Sequence, residues 1–148
     1  MEGEMNKLKL MGLVLLGIWL APYAAAAGDF DGSQPLLCAS MDIIECDAGG
    51  ECFRVTAQSI SAPRFLRIDF KKKSIRATQA SKDERTTIIE RIERVDGKLI
   101  IQGAEDGIEG VRDGLGWTLA IAEESGNMVL TGSGDEVAFV VFGACTPL

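Results

Sequence analysis

The chain has 148 residues, 47% of them hydrophobic, a net charge of −7 and no histidine. Without histidine there is no Ser-His or Cys-His nucleophile, no histidine zinc site and no histidine pH switch. The acidic balance argues against nucleic acid as a partner, because phosphate backbones call for a basic face.

Residues 1–27 have the order of a secretory signal peptide. Lys7 and Lys9 lead into an apolar run, Leu10–Ala21, and Ala24–Ala27 supply small residues for a peptidase. The run is about a dozen residues, against roughly 20 for a spanning helix, so no stable membrane insertion is expected after cleavage. Met5 is an alternative start, since it removes Glu2 and Glu4 from a region that should be positive. Cys38 lies too far beyond the apolar run to accept a lipid anchor. A periplasmic or secreted location is expected, with 28–35 a loose polar leader and 36–148 a single β-barrel-like domain. In 28–148 the aromatics are six phenylalanines and Trp117, which leaves few stacking platforms.

Four cysteines in an exported chain read first as two disulfides, with three possible connectivities. Cys46 and Cys52 flank Asp47-Ala48-Gly49-Gly50-Glu51, a turn suited to bringing them together. Cys38 and Cys145 would then tie the first strand to the last. Loop-closure entropy gives roughly 2.4 kcal/mol for the short loop and roughly 4.8 kcal/mol for the long one. A zinc site would need Cys-x-x-Cys spacing and a redox pair a thioredoxin-type motif, and neither is present.

From Leu36 onward, short apolar segments recur with turn signals between them, the pattern of an all-β barrel or sandwich. Expected strands are Leu36–Ile44, Glu51–Ala57 and Arg64–Phe70, where Leu66, Ile68 and Phe70 face one way and Arg67 and Asp69 the other. Lys71–Lys73 turns into Ser74–Thr78; three lysines there read first as a solvated turn that discourages edge pairing, with contact to anionic lipid headgroups or an acidic partner as the functional alternative. The stretch 82–95 is contested. Ser81 with Glu84 fits a helical capping box, and Ile88, Ile89, Ile92 and Val95 share a helical face. Thr86-Thr87-Ile88-Ile89 favours a pleated surface, and Asp96-Gly97 before Lys98–Gln102 is a strong hairpin signal. Trp117–Ala122, Met128–Thr131 and Val137–Ala144 complete the series. The last is so apolar that it should be buried on both faces or close a barrel. The whole predicts about eight antiparallel strands in meander order, forming a small barrel or closed sandwich.

Gly116-Trp117-Thr118, Gly126-Asn127-Met128 and Phe142-Gly143-Ala144-Cys145-Thr146 resemble segments of a family of small secreted proteobacterial proteins of unknown function. Leu37-Cys38-Ala39, Arg67-Ile68-Asp69-Phe70 and Leu99-Ile100-Ile101-Gln102-Gly103 are similar to the same group, and the match covers most of 28–148. The resemblance implies no activity, and the Asp106–Gly114 stretch is longer than that group leads one to expect. At fold level the meander is similar to calycin-type barrels, but the lipocalin Gly-x-Trp near the first strand is missing.

The glycine-rich stretch Gly103–Gly116 has neither a phosphate-loop nor a dinucleotide pattern, so no cofactor is expected. Its acids, Glu105, Asp106, Glu109 and Asp113, miss the calcium-loop spacing, although they offer a surface for a partner. Gly132-Ser133-Gly134 is not a nucleophile elbow. Trp117 is expected to plug the core or a barrel end, with ligand contact as its functional alternative. The leading expectation is a non-catalytic periplasmic or secreted binding module for a small apolar ligand or an envelope partner. One alternative is a protein inhibitor or envelope-stress protein acting through loop 103–116, which predicts a filled barrel. Another is a carboxylate-based hydrolase, which predicts two inward acids, at least one of them with a raised pKa.

Overall fold

The computed structural model describes residues 29–78, 86–107 and 110–148. The expected signal segment, residues 82–85 of the contested stretch, and Glu109 lie outside them. Ten strands are present: β1 Leu36–Asp47, β2 Cys52–Val55, β3 Phe65–Asp69, β4 Ser74–Ala77, β5 Thr86–Ile88, β6 Arg91–Val95, β7 Lys98–Glu105, β8 Leu115–Ala122, β9 Asn127–Ser133 and β10 Val137–Pro147. All are antiparallel neighbours in one curled, barrel-like sheet, and there is no helix among the described residues.

The contested stretch is strand from Thr86 onward. Asp96 and Gly97 have φ of 50° and 69°, the two positive values that a tight right-twisted hairpin requires, and they join β6 to β7. The β-branched Thr86, Thr87 and Ile88 pair with β4. The strand count exceeds the expected eight partly because this run divides between two partners. Ile89 N–H donates to the Lys73 carbonyl at 2.9 Å, while Glu90 N–H donates to the Gln102 carbonyl at 2.9 Å. The sheet order begins at β5 and ends at β6. Its two ends therefore meet in one stretch of chain, and β5 lies against β7.

β1 organises the other side. One of its edges pairs with β10 along the whole strand, so the first and last strands are neighbours. Its other edge is shared, with Leu36–Ala39 pairing with β3 and Ile43–Cys46 pairing with β2. β2 and β3 thus lie end to end along β1, interrupted by an excursion over 56–64. A bulge at Met41 marks the change of partner. The simple meander expected from sequence forks at this point.

Both disulfides join directly opposed residues, Cys38–Cys145 across β1 and β10 and Cys46–Cys52 across β1 and β2. Cys145 N–H donates to the carbonyl of Gly126, just before β9, instead of to β1, which identifies 38/145 as a non-hydrogen-bonded pair, where side chains stand closest. Two such bonds are the mark of a chain folded in an oxidising, extracytoplasmic environment.

Alternation fills the interior. Ile68, Ile75, Leu99, Ile101, Leu119, Ile121, Met128 and Val141 point inward from six strands and are buried together with Leu36, Cys38 and Ile89. No described polar or charged residue is buried. β10 departs from the expected burial on both faces: Val141 and Cys145 are buried, but Phe142 is 42% exposed on the outer side. Gly143 faces the β1 bulge so closely that a Cβ would lie 2.0 Å from the Ala39 carbonyl oxygen.

The leader, expected to be loose, makes several contacts with one end of the barrel. Phe30 packs against the core, and Leu148 N–H donates to the Pro35 carbonyl at 3.0 Å. Arg94 pairs with Asp31 at 3.7 Å and with Glu123 at 3.0 Å. Hydrogen bonds from the Ser33 hydroxyl and backbone N–H, with Arg94 nearby, hold the Asp31 carboxyl below the usual carboxylate range.

The pair C38A/C145A should lose about 2–5 kcal/mol of unfolding free energy and C46A/C52A about half as much, measured by urea titration. Gly143→Ala should cost at least ~1–3 kcal/mol, because backbone must move to admit the methyl group. A carboxyl with a depressed folded pKa adds stability above its unfolded pKa, and that stability is lost as pH falls through the folded value. Asp31→Asn should therefore reduce the fall in urea midpoint between neutral pH and pH 3.

Candidate functional site

The expected acidic loop is shorter than its sequence signal. β7 runs to Glu105 and β8 starts at Leu115, so the loop proper is 106–114. Gly107, with φ of 77°, lies against Asp113, whose Oδ1 would be 2.0 Å from a Cβ there. That carboxylate is folded onto its own loop. Arg112 pairs with Asp135 at 2.9 Å and links the loop to the β9–β10 turn. Asp106 and Asp113 are exposed and Glu105 is half-buried in its strand. Among the described residues no group of three or more acids or cysteines is placed to hold a metal ion.

Trp117 belongs to the core. It is buried and stands in register with glycine on both neighbouring strands, Gly103 on β7 and Gly132 on β9. The missing side chain at Gly103 is what the indole occupies, since a Cβ there would be 2.4 Å from Trp117 Cζ2. The Trp117 Nε1–H donates to the Thr87 hydroxyl at 3.1 Å, so both faces of the indole's chemistry, apolar and polar, are used internally.

A groove that no sequence signal marked lies at the fork of β1. It has a volume of about 540 Å³ and is bordered by the Met41 bulge, by Arg54 and Val55 of β2, by Ala57 of the excursion, and by Arg64 and Phe65 leading into β3. The excursion is held in place by backbone: Ser40 N–H donates to the Arg64 carbonyl at 2.9 Å, and Ala62 N–H to the Ala57 carbonyl at 2.8 Å. Ile60 packs against the core beneath it. The groove walls mix exposed apolar side chains, Met41 at 73% and Phe65 at 41%, with charge. Arg54 is paired with Asp42. Among the described residues the Arg64 side chain has no ion-pair or hydrogen-bond partner and β2 pairs only with β1, so no described strand covers its outer edge. The arrangement suits an extended segment carrying an acid: apolar walls for side chains, a strand edge for backbone and a free guanidinium for a carboxylate.

Gly103→Ala should displace the indole, red-shift Trp117 emission and cost ~1–3 kcal/mol, read from fluorescence-monitored urea unfolding. Trp117→Phe should keep the fold and lose less than that, because a ring still covers Gly103.

No protein-family model matches the chain, and neither does any curated protein or solved structure, so what its surface can do has to follow from this geometry.

Proposed function

We propose that this chain is a non-catalytic binding module of the periplasm or the extracellular space, and that it takes an extended segment of an envelope protein in the groove at the β1 fork. The observation that carries this reading is the contrast between a barrel interior packed with aliphatic side chains and an open groove with unspent groups on the outside. A small apolar cargo would need the space that Leu119, Ile121 and Ile101 occupy. A hydrolase of the carboxylate type would draw on inward acids, whereas every described acid is at least partly exposed and Asp31, held low, is the wrong kind of group for a general acid. The acidic loop, pinned to itself by Gly107 and Asp113, presents solvated carboxylates and less apolar surface than the groove.

Displayed peptide libraries selected on the oxidised protein, followed by chemical-shift mapping, test this. Selected peptides should carry an acid beside apolar residues and perturb 40–43, 54–57 and 64–65. Arg64→Ser should weaken the best of them about tenfold, the loss of one charged hydrogen-bonding partner. Peptides that perturb only 106–114 would favour the inhibitor-loop reading instead. Small apolar compounds that shift Leu119 and Ile121 would favour a carrier.

A further inference from the structure

The chain is strongly acidic, yet one hairpin is not. Between Arg64 and Arg76 there are six basic residues and one acid, a charge of +5 on a molecule of −7, so the remainder carries −12. The β3–β4 register places Arg67 directly opposite Arg76. Both are exposed, on the face opposite to buried Ile68 and Ile75. Like charges directly opposed across two strands disfavour the pairing unless an anion lies between them.

Among the described residues the surroundings do not supply that anion. Along the same outward row, Thr86 neighbours Arg76 on β5, Leu37 neighbours Arg67 on β1, and Thr146 follows on β10. In the row to one side stand Phe65, Ala39 and Ala144, and to the other Ile88, Ser74 and Asp69. Asp69 is the acid of these rows, and it is taken by Lys72 at 3.8 Å. Neither Arg67 nor Arg76 has an ion-pair or side-chain hydrogen-bond partner among the described residues. Phe65 is 41% exposed and Ile88 67% exposed on this face.

We infer that the outer face of the β3–β4 hairpin, centred on Arg67 and Arg76, docks on a bilayer rich in anionic phospholipid. The patch is a sheet face and not a pocket, which fits an extended surface better than a single small anion. Its guanidinium groups match phosphate, and its flanking apolar side chains can enter the headgroup region. The net charge does not forbid this contact. At physiological ionic strength screening acts over about 8 Å, so acids on the far wall of the barrel contribute little where the arginines touch. This surface, centred on Arg67 and Arg76, stands apart from the groove reading, with Phe65 common to both and Arg64 at their border.

The test is co-sedimentation of the oxidised protein, cleaved after Ala27, with vesicles of phosphatidylglycerol and phosphatidylcholine in equal parts, or of phosphatidylcholine alone, at low and high salt. Binding is expected to the anionic vesicles, to weaken steeply with salt, and to be near background on the neutral ones. Each basic residue at such a surface is worth about fivefold, so R67S/R76S should weaken binding about 30-fold. Its melting temperature should hold or rise, since the facing like charges are gone. R54S/R112S removes the same charge elsewhere and should change binding less than threefold. Met41→Ser, in the groove, should leave vesicle binding unchanged, so failure here is separable from failure of the groove. Equal loss in the two double variants would overturn the assignment, as would binding to soluble polyphosphate without binding to anionic vesicles.

Discussion

The pairing of β1 with three partners is the constraint on which the rest depends. A strand of twelve residues pairs along one edge with β10 and divides its other edge between β2 and β3. Cys38–Cys145 fixes the long-range half of this arrangement, a contact between residues 107 apart in sequence. Closing so long a loop is entropically costly for a free chain, and a covalent link removes most of that cost from the unfolded side of the balance. Once β1 and β10 are aligned, the meander β6–β10 and the hairpin β3–β4 are carried to opposite sides of one seam. Ile89 and Glu90 then join the two ends of the sheet.

The same strand generates the functional geometry. Because β2 and β3 share one edge of β1, a gap must open where one stops and the other begins. The Met41 bulge and the 56–64 excursion occupy the rim of that gap and leave a groove. Because β3 starts past the fork and turns back at Lys71–Lys73, its outward Arg67 meets Arg76 of β4 with no described acid in that row. A packed interior, an open fork and a basic outer face are thus consequences of one branching strand.

Much of this was legible in the sequence. Alternation identified Leu66 and Ile68 as inward and Arg67 as outward, and Asp96-Gly97 identified the β6–β7 turn, because both signals are local in origin. The glycine-rich turn between Cys46 and Cys52 pointed to one disulfide in the same way. The fork was not legible: nothing near Met41 announces a bulge, since the change of partner is imposed by β2 and β3 from far along the chain. Trp117 reads as a core plug with a ligand-contact alternative, and its burial between Gly103 and Gly132 rests on a register set by two other strands. The Arg67–Arg76 pair lies between these cases. With the turn fixed at 70–73 it could have been counted from the sequence, but the absence of an acid from its own row among the described residues depends on β1 and β5.

The central claim is that this protein works from its outside around a packed interior. Native mass spectrometry of the chain purified without reductant tests that claim most directly. A mass equal to the cleaved chain less the four hydrogens of two disulfides, with no small-molecule adduct, is the predicted result. A retained non-covalent apolar compound, released on unfolding, would contradict it, because such a cargo would need the space that the buried core side chains occupy.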